Sequence, residues 1–103
     1  MTRVFVLLMA LAPVFAASAM AAQYTVDIKD MRFGKAPDHL KVGDSIIWTN
    51  KDIVRHTATA RTGAFDLRLD PGKSGSVVLK KPGRVAVFCR YHPDMTLQLN
   101  IAP

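Results

Sequence analysis

The chain has 103 residues, enough for one small domain and no more. Its net charge of +6 is spread along the sequence, with Lys80–Lys81 the only adjacent basic pair. Together with the export signal read below, this argues against nucleic acid and leaves a solvated surface or, second, an acidic protein partner. The single cysteine cannot form an internal disulfide, so in an oxidising compartment either the core suffices alone or a metal helps.

The first 22 residues, "MTRVFVLLMALAPVFAASAMAA", hold one charge, Arg3, then an apolar run from Val4 to Ala12. Ala-x-Ala patterns follow at Ala17/Ala19 and Ala19/Ala21. This layout predicts a signal peptide over residues 1–22, cleaved after Ala21 or Ala22, and a single domain over 23–103. The uncharged stretch Val4–Ala22 is also long enough for a transmembrane anchor. Pro13 and the alanine-rich tail favour cleavage, which predicts a periplasmic protein with no stable membrane insertion.

Strand signals then run to the end of the chain. "YTVDIK" (Tyr24–Lys29) alternates, with Tyr24, Val26 and Ile28 on one face. "HLKV" (His39–Val42) reads as a strand ending at the Gly43–Asp44 turn, and "SIIWTN" (Ser45–Asn50) as the next. "HTATA" (His56–Ala60) and "FDLRL" (Phe65–Leu69) flank a turn at Thr62–Gly63. "DPGKSG" makes a loop, "SVVLK" (Ser76–Lys80) a strand, and "KPG" a further turn. "RVAVFC" (Arg84–Cys89) and "TLQLNI" (Thr96–Ile101) complete seven or eight strands. Helix signals are poor, so the expected fold is all-β: two antiparallel sheets face to face, or a closed barrel. In the penultimate strand Val85, Val87 and Cys89 share a face, which points the thiol inward.

Between the last two strands stands "CRYHPDM", with Cys89, His92 and Met95 at Cys-x-x-His-x-x-Met spacing. Residues three apart on a strand face opposite sides. A loop turned by Pro93 can instead bring all three side chains round one point. Thiolate, imidazole and thioether form a soft donor set that suits copper. An electron-transfer copper site joins two imidazoles and a thiolate in a plane with a long axial methionine, so a second histidine is needed. The candidates are His39, which reads as a surface residue after Pro37 and Asp38, and His56, at the start of a strand; position favours His56.

These residues, joined to "GDSIIWTN", resemble the cupredoxins, or small blue copper proteins, and within them the amicyanin and plastocyanin type. The resemblance runs from "DMRFGKAPDHLKVGDSIIWTNKDIVRHTAT" through "GAFDLRLDPGKSGSVVLKKPGRVAVFCRYHPDM". It implies an antiparallel Greek-key β-sandwich with one copper ion cycling between Cu(I) and Cu(II), held by His56, Cys89, His92 and Met95. It further implies a monomeric one-electron carrier rather than an enzyme, with redox protein partners such as a periplasmic dehydrogenase and a c-type cytochrome. The histidine would leave electrons a short exit through an apolar patch, to which Met31, Pro37 and Pro93 are candidate contributors. There are two departures from the pattern: Thr57 stands where many relatives have asparagine, and Thr96 and Leu97 follow the methionine where many have glycine. Both are places where neighbouring groups tune a metal site.

Plainer readings exist for each residue. A lone cysteine is commonly a small buried hydrophobe, and methionines commonly fill cores. A copper store or delivery protein is the alternative function, but it would favour exposed methionine and histidine clusters. A thiolate–imidazole enzyme would need an orienting group, for which Asp94 is the one nearby candidate, and an oxyanion site. Trp48, Phe33, Phe65 and Phe88 are expected to pack the sandwich. Tyr91 either covers the site or lies beside it. Arg55 and Arg90, each next to a candidate ligand, are solvated or dock an acidic partner.

Overall fold

The computed structural model describes residues 2–13 and 20–103. Ala17 and Ala19 of the two Ala-x-Ala patterns lie outside the described residues. Residues 2–13 form no helix or strand, and their apolar side chains stand in solvent. No helix among the described residues is long and apolar enough to cross a membrane.

Eight strands follow: β1 (Gln23–Lys29), β2 (Arg32–Phe33), β3 (Ser45–Asn50), β4 (His56–Ala60), β5 (Asp66–Leu69), β6 (Ser74–Val78), β7 (Gly83–Phe88) and β8 (Thr96–Ile101). They form two four-stranded sheets, ordered β2-β1-β3-β6 and β5-β4-β7-β8. The alternation of apolar residues decides which face turns inward. Val26 and Ile28 of β1 are buried, alternating with the more exposed Thr25, Asp27 and Lys29, and Val85, Val87 and Cys89 all face the core as expected.

One ladder departs from the antiparallel expectation. β1 and β3 run parallel, with Val26 beside Trp48 and Ile28 beside Asn50, while every other named strand pair is antiparallel. A parallel pair cannot close through a tight hairpin and needs a long crossover. Here β2 and the connection through Gly34–Asp44 supply it. Within that connection, residues 39–42 form no strand, only an isolated bridge from Lys41 to Ala102. His39 has φ of 61° and Gly43 has φ of 95°, so left-handed backbone interrupts the extended run at both ends. β6 begins at Ser74 rather than Ser76, because Ser74 pairs with Thr49 in the ladder and through a 2.8 Å hydroxyl bond.

Trp48 lies fully buried, with Phe33 edge-on at 5.7 Å and Phe65 at 6.0 Å between ring centroids. Its ladder partner is Gly75, where a β-carbon would press on Leu67 and Leu69 at 3.1 and 3.3 Å. The missing side chain lets β6 close against β5 along one side of the sandwich. Phe88 does not join this core. With Val87 and Cys89 inward, its ring turns to the outer face, where the Arg61 guanidinium sits 4.3 Å from its centroid.

Candidate metal centre

Adjacent strands bring the donors together at one pole. β4 and β7 pair through Thr59–Phe88 and Ala60–Val87, which sets His56, at the head of β4, close to Cys89, just past the end of β7. The loop after Cys89 curls back on itself. The Met95 amide donates to the His92 carbonyl at 2.9 Å, and the Cys89 amide donates to the Met95 carbonyl at 3.2 Å. The heptapeptide is therefore a closed loop, as Pro93 suggested, with Met95 buried at its far end.

Cys89 Sγ stands 3.7 Å from His56 Nδ1 and 3.7 Å from His92 Nδ1. All three atoms fall within 4.8 Å of one another, and the two imidazole rings meet edge to face at 5.1 Å. Metal–nitrogen and metal–sulfur bonds of about 2.0 and 2.3 Å, opened to a trigonal angle of about 120°, would separate N and S by about 3.7 Å. The donors present thus fit one ion of the size and softness of copper. His56 and Cys89 have no solvent exposure, while His92 is half-buried and reaches the surface.

Two groups that the sequence did not single out hold these donors. The first is Asp52, four residues before His56. Its Oδ2 lies 2.8 Å from His56 Nε2, and the carboxylate also accepts the amides of Asp30 at 2.7 Å and Met31 at 3.0 Å. Burial opposes the charged form of Asp52, but the Met31 amide, the His56 ring and the Asp30 amide outweigh it and hold the carboxyl below its ordinary range. A carboxylate on the outer nitrogen of a ligating histidine fixes the tautomer and leaves Nδ1 free as a donor. An acid four residues ahead of a candidate ligand was the available signal.

The second is Asn50, fully buried at the end of β3. Its Nδ2 donates to the carbonyls of Val54 at 2.8 Å and Leu69 at 2.9 Å, and its Oδ1 accepts the Asp52 amide at 2.9 Å. One amide side chain thereby shapes residues 51–55 and ties them to β5.

Thr57 takes on the loop-fixing role that the sequence left open. Its amide donates to Cys89 Sγ at 3.3 Å, and its hydroxyl accepts the Arg90 amide at 2.8 Å. A threonine hydroxyl therefore holds the cysteine loop where asparagine was the familiar residue. The hydroxyl also lies 2.8 Å from that of Thr59, which donates to Asp66 at 2.7 Å.

The remaining candidates separate clearly. His39 is exposed on the β2–β3 connection and lies outside the cluster. Arg55 pairs with Asp70 at 2.6 Å, and Arg90 forks onto Asp66, with Nε to the two oxygens at 3.2 and 3.3 Å. Tyr91 is exposed rather than covering the site. Met31 and Pro93 are exposed on loops at this pole, joined by Ile53 at 94% exposure and by Val54, neither of which the sequence had suggested; Pro37 is half-buried.

Two four-stranded sheets carrying His56, Cys89 and His92 together at one pole, with Met95 buried at the end of the same loop, make this a cupredoxin fold with a donor cluster that suits a copper ion. No protein-family model matches the sequence, and no curated protein does. Solved structures of amicyanin are among those it resembles. A Cu(I) form of an amicyanin mutant superposes with a TM-score of 0.66 at 25% identity, covering 84% of this chain and 87% of that one. A reduced Cu(I) form of a second mutant at pH 4 gives the same values, and an oxidized form of a third gives 0.65 at 25% identity over the same shares.

Proposed function

We propose that the protein is an exported type 1 copper protein that carries single electrons between redox partners. The observation that carries this reading is the pair of equal 3.7 Å nitrogen–sulfur separations around a thiol with no solvent exposure. When bound, copper supplies a one-electron Cu(II)/Cu(I) couple, and thiolate and imidazole suit both states. His56, Cys89, His92 and Met95 would hold the ion in this reading, through two imidazoles, a thiolate and a thioether. The rest of the chain keeps them still. Asp52 holds the His56 ring, the Thr57 amide donates to the sulfur, and the two backbone bonds within the loop fix Met95 relative to Cys89 and His92. Donors held this firmly move little between oxidation states, which favours rapid electron exchange.

His92 is the donor that reaches solvent, amid loops that expose Met31, Ile53, Val54 and Pro93, and it is the proposed electron exit. An acidic redox partner is supported by the outer face of the second sheet. Arg61, Arg68, Arg84 and Arg90 are exposed there, and Asp66 is the one carboxylate within β4, β5, β7 and β8. The leader-like residues 1–22 support export to the periplasm. Storage or delivery of copper requires ligand exchange at the surface, which buried His56 and Cys89 disfavour. A nucleophilic role for Cys89 meets the same obstacle.

Cu(II) added to the purified protein should produce intense visible absorption from thiolate-to-copper charge transfer, lost in Cys89→Ser. A colourless complex, or colour that survives the substitution, defeats the proposal. Reversible voltammetry then separates a carrier from a store, since slow or irreversible exchange favours the store.

A further inference from the structure

We propose that the chain is cut between Ala21 and Ala22, and that the amino group so released becomes the ion-pair partner of the buried carboxylate of Asp44. The inference rests on the export reading and is independent of the metal.

Asp44 precedes β3 and has no solvent exposure. Its Oδ1 accepts the Ala22 amide at 2.9 Å and Lys41 Nζ at 2.6 Å, while Oδ2 accepts the Lys41 amide at 3.0 Å. The Ala22 carbonyl in turn accepts the Ser45 amide at 2.9 Å. Among the described residues Ala22 is thus the first tied to the domain on both of its backbone groups, one step ahead of the Gln23–Ser45 ladder pair. Among the described residues before it, only Met20 bonds to the domain, through a 3.3 Å contact from Lys41 Nζ to its carbonyl.

That boundary separates the two cleavage positions that the alanine pattern left open. A cut after Ala22 removes both Ala22 bonds and strips Asp44 of one donor and Ser45 of its acceptor. A cut after Ala21 keeps both. Hydrolysis by a signal-removing peptidase adds one water across the peptide bond, leaving a carboxylate on Ala21 and an amine on Ala22. An ordinary α-amine, with a pKa of about 8, is protonated at neutral pH. An amide donor is thereby exchanged for an ammonium at the same place. Hydrogen bonds between charged partners are about twice as strong as neutral ones. The charged groups placed against this amine are Asp44 and Lys41. Lys41 shares the same carboxylate oxygen and is one-third exposed, so it can lean toward water as the new cation forms.

The test uses the full-length chain, expressed in a bacterial host that exports it. The recovered protein should have the mass of residues 22–103, and its α-amine should titrate above the ordinary value of about 8. Deleting Ala22 from the full-length chain makes Gln23 the new terminus. The folding equilibrium constant in urea should then fall about tenfold or more, with the copper colour unchanged. A processed protein that begins at any other residue, an α-amine titrating at its ordinary value, or equal urea midpoints overturns the proposal. Recovery of only the intact 103-residue chain overturns both it and the export reading, and leaves the metal-site reading standing.

Discussion

Asp44 and Asp52 stand at opposite ends of β3 and are built alike. Each is a largely buried carboxylate that accepts backbone amides from the first strand's flank, Ala22 before β1 for one and Asp30 and Met31 after β1 for the other. β1 and β3 are the one parallel pair, without a hairpin to hold their register, and the two aspartates staple that pair at both ends. The difference lies in the third partner. Asp44 turns to Lys41, so its work ends in the scaffold. Asp52 turns to His56 Nε2, so the same staple also aims a ring at Cys89. A structural device becomes a functional one when the group it holds has a second reactive atom facing elsewhere.

The comparison breaks first under Asp44→Ala. The substitution takes the buried acceptor from the Ala22 nitrogen and the Lys41 amide and the ion-pair partner from Lys41, and leaving buried donors unsatisfied is strongly destabilising. We expect Tm to fall by more than about 10 °C for a domain of this size, with the visible absorption of the folded fraction unchanged. Wild-type stability should also fail in acid. The Lys41 side-chain bond, followed by the Ala22 amide, holds the Asp44 carboxyl below its ordinary value of 3.8 against the opposing effect of burial. A depressed folded value means that this contribution is complete above pH 3.8 and is lost as pH falls through the folded value. Asp44→Asn should flatten that part of the acid-unfolding curve measured by circular dichroism.

Asp52→Asn should give the complementary result. The amide group can still accept one backbone N–H, but it cannot accept from His56 Nε2 and anchor both flanking amides at once. Copper affinity should fall about 10–100-fold, the usual effect of losing a partner that orients a ligand. Removal of a negative charge beside the site should raise the reduction potential by on the order of 50 mV, close to a tenfold change for one electron. Asp44→Asn should leave the potential alone. A shared shift at both positions would mean that long-range charge, rather than the aimed ring, sets it.

Much of this architecture was legible in the sequence, and the gaps have physical causes. Alternation placed β1 and β8, and the face shared by Val85, Val87 and Cys89 turned the thiol inward, because burial on one face fixes parity residue by residue. Alternation carries no information about which strand lies beside which, so the parallel β1–β3 pair was missed. The expected strand at 39–42 failed because left-handed backbone at His39 is not written in composition. The four donors could be proposed from spacing and resemblance. Their supports were barely legible: Asp52 stood four residues ahead of His56, but it and Asn50 look like ordinary turn residues until the loop around them is folded.

Thr57→Val tests whether the hydroxyl or the shape of the threonine holds the cysteine loop. Valine fills the same volume but leaves the Arg90 amide and the Thr59 hydroxyl without this partner. An unsatisfied buried donor costs about 1–3 kcal/mol, which should appear in urea unfolding of the metal-free protein. The amide bond from Thr57 to Cys89 Sγ belongs to the backbone and survives, so the charge-transfer band should move little. A band that shifts strongly would show that the hydroxyl also sets the position of the sulfur.

The smallest expected effect concerns the arginine face. Arg84 is exposed on β7, away from the metal pole, and forms no ion pair among the described residues. Arg84→Glu should therefore leave potential and stability unchanged. It should slow oxidation of the reduced protein by ferricyanide, an anionic probe, by on the order of twofold at low salt. The difference should vanish once the Debye length drops to about 3 Å near 1 M salt. A cationic cobalt oxidant should react slightly faster with the variant under the same low-salt conditions. If both oxidants are indifferent to the substitution and to salt, encounter occurs over the apolar loops around His92 and the arginine face takes no part in it.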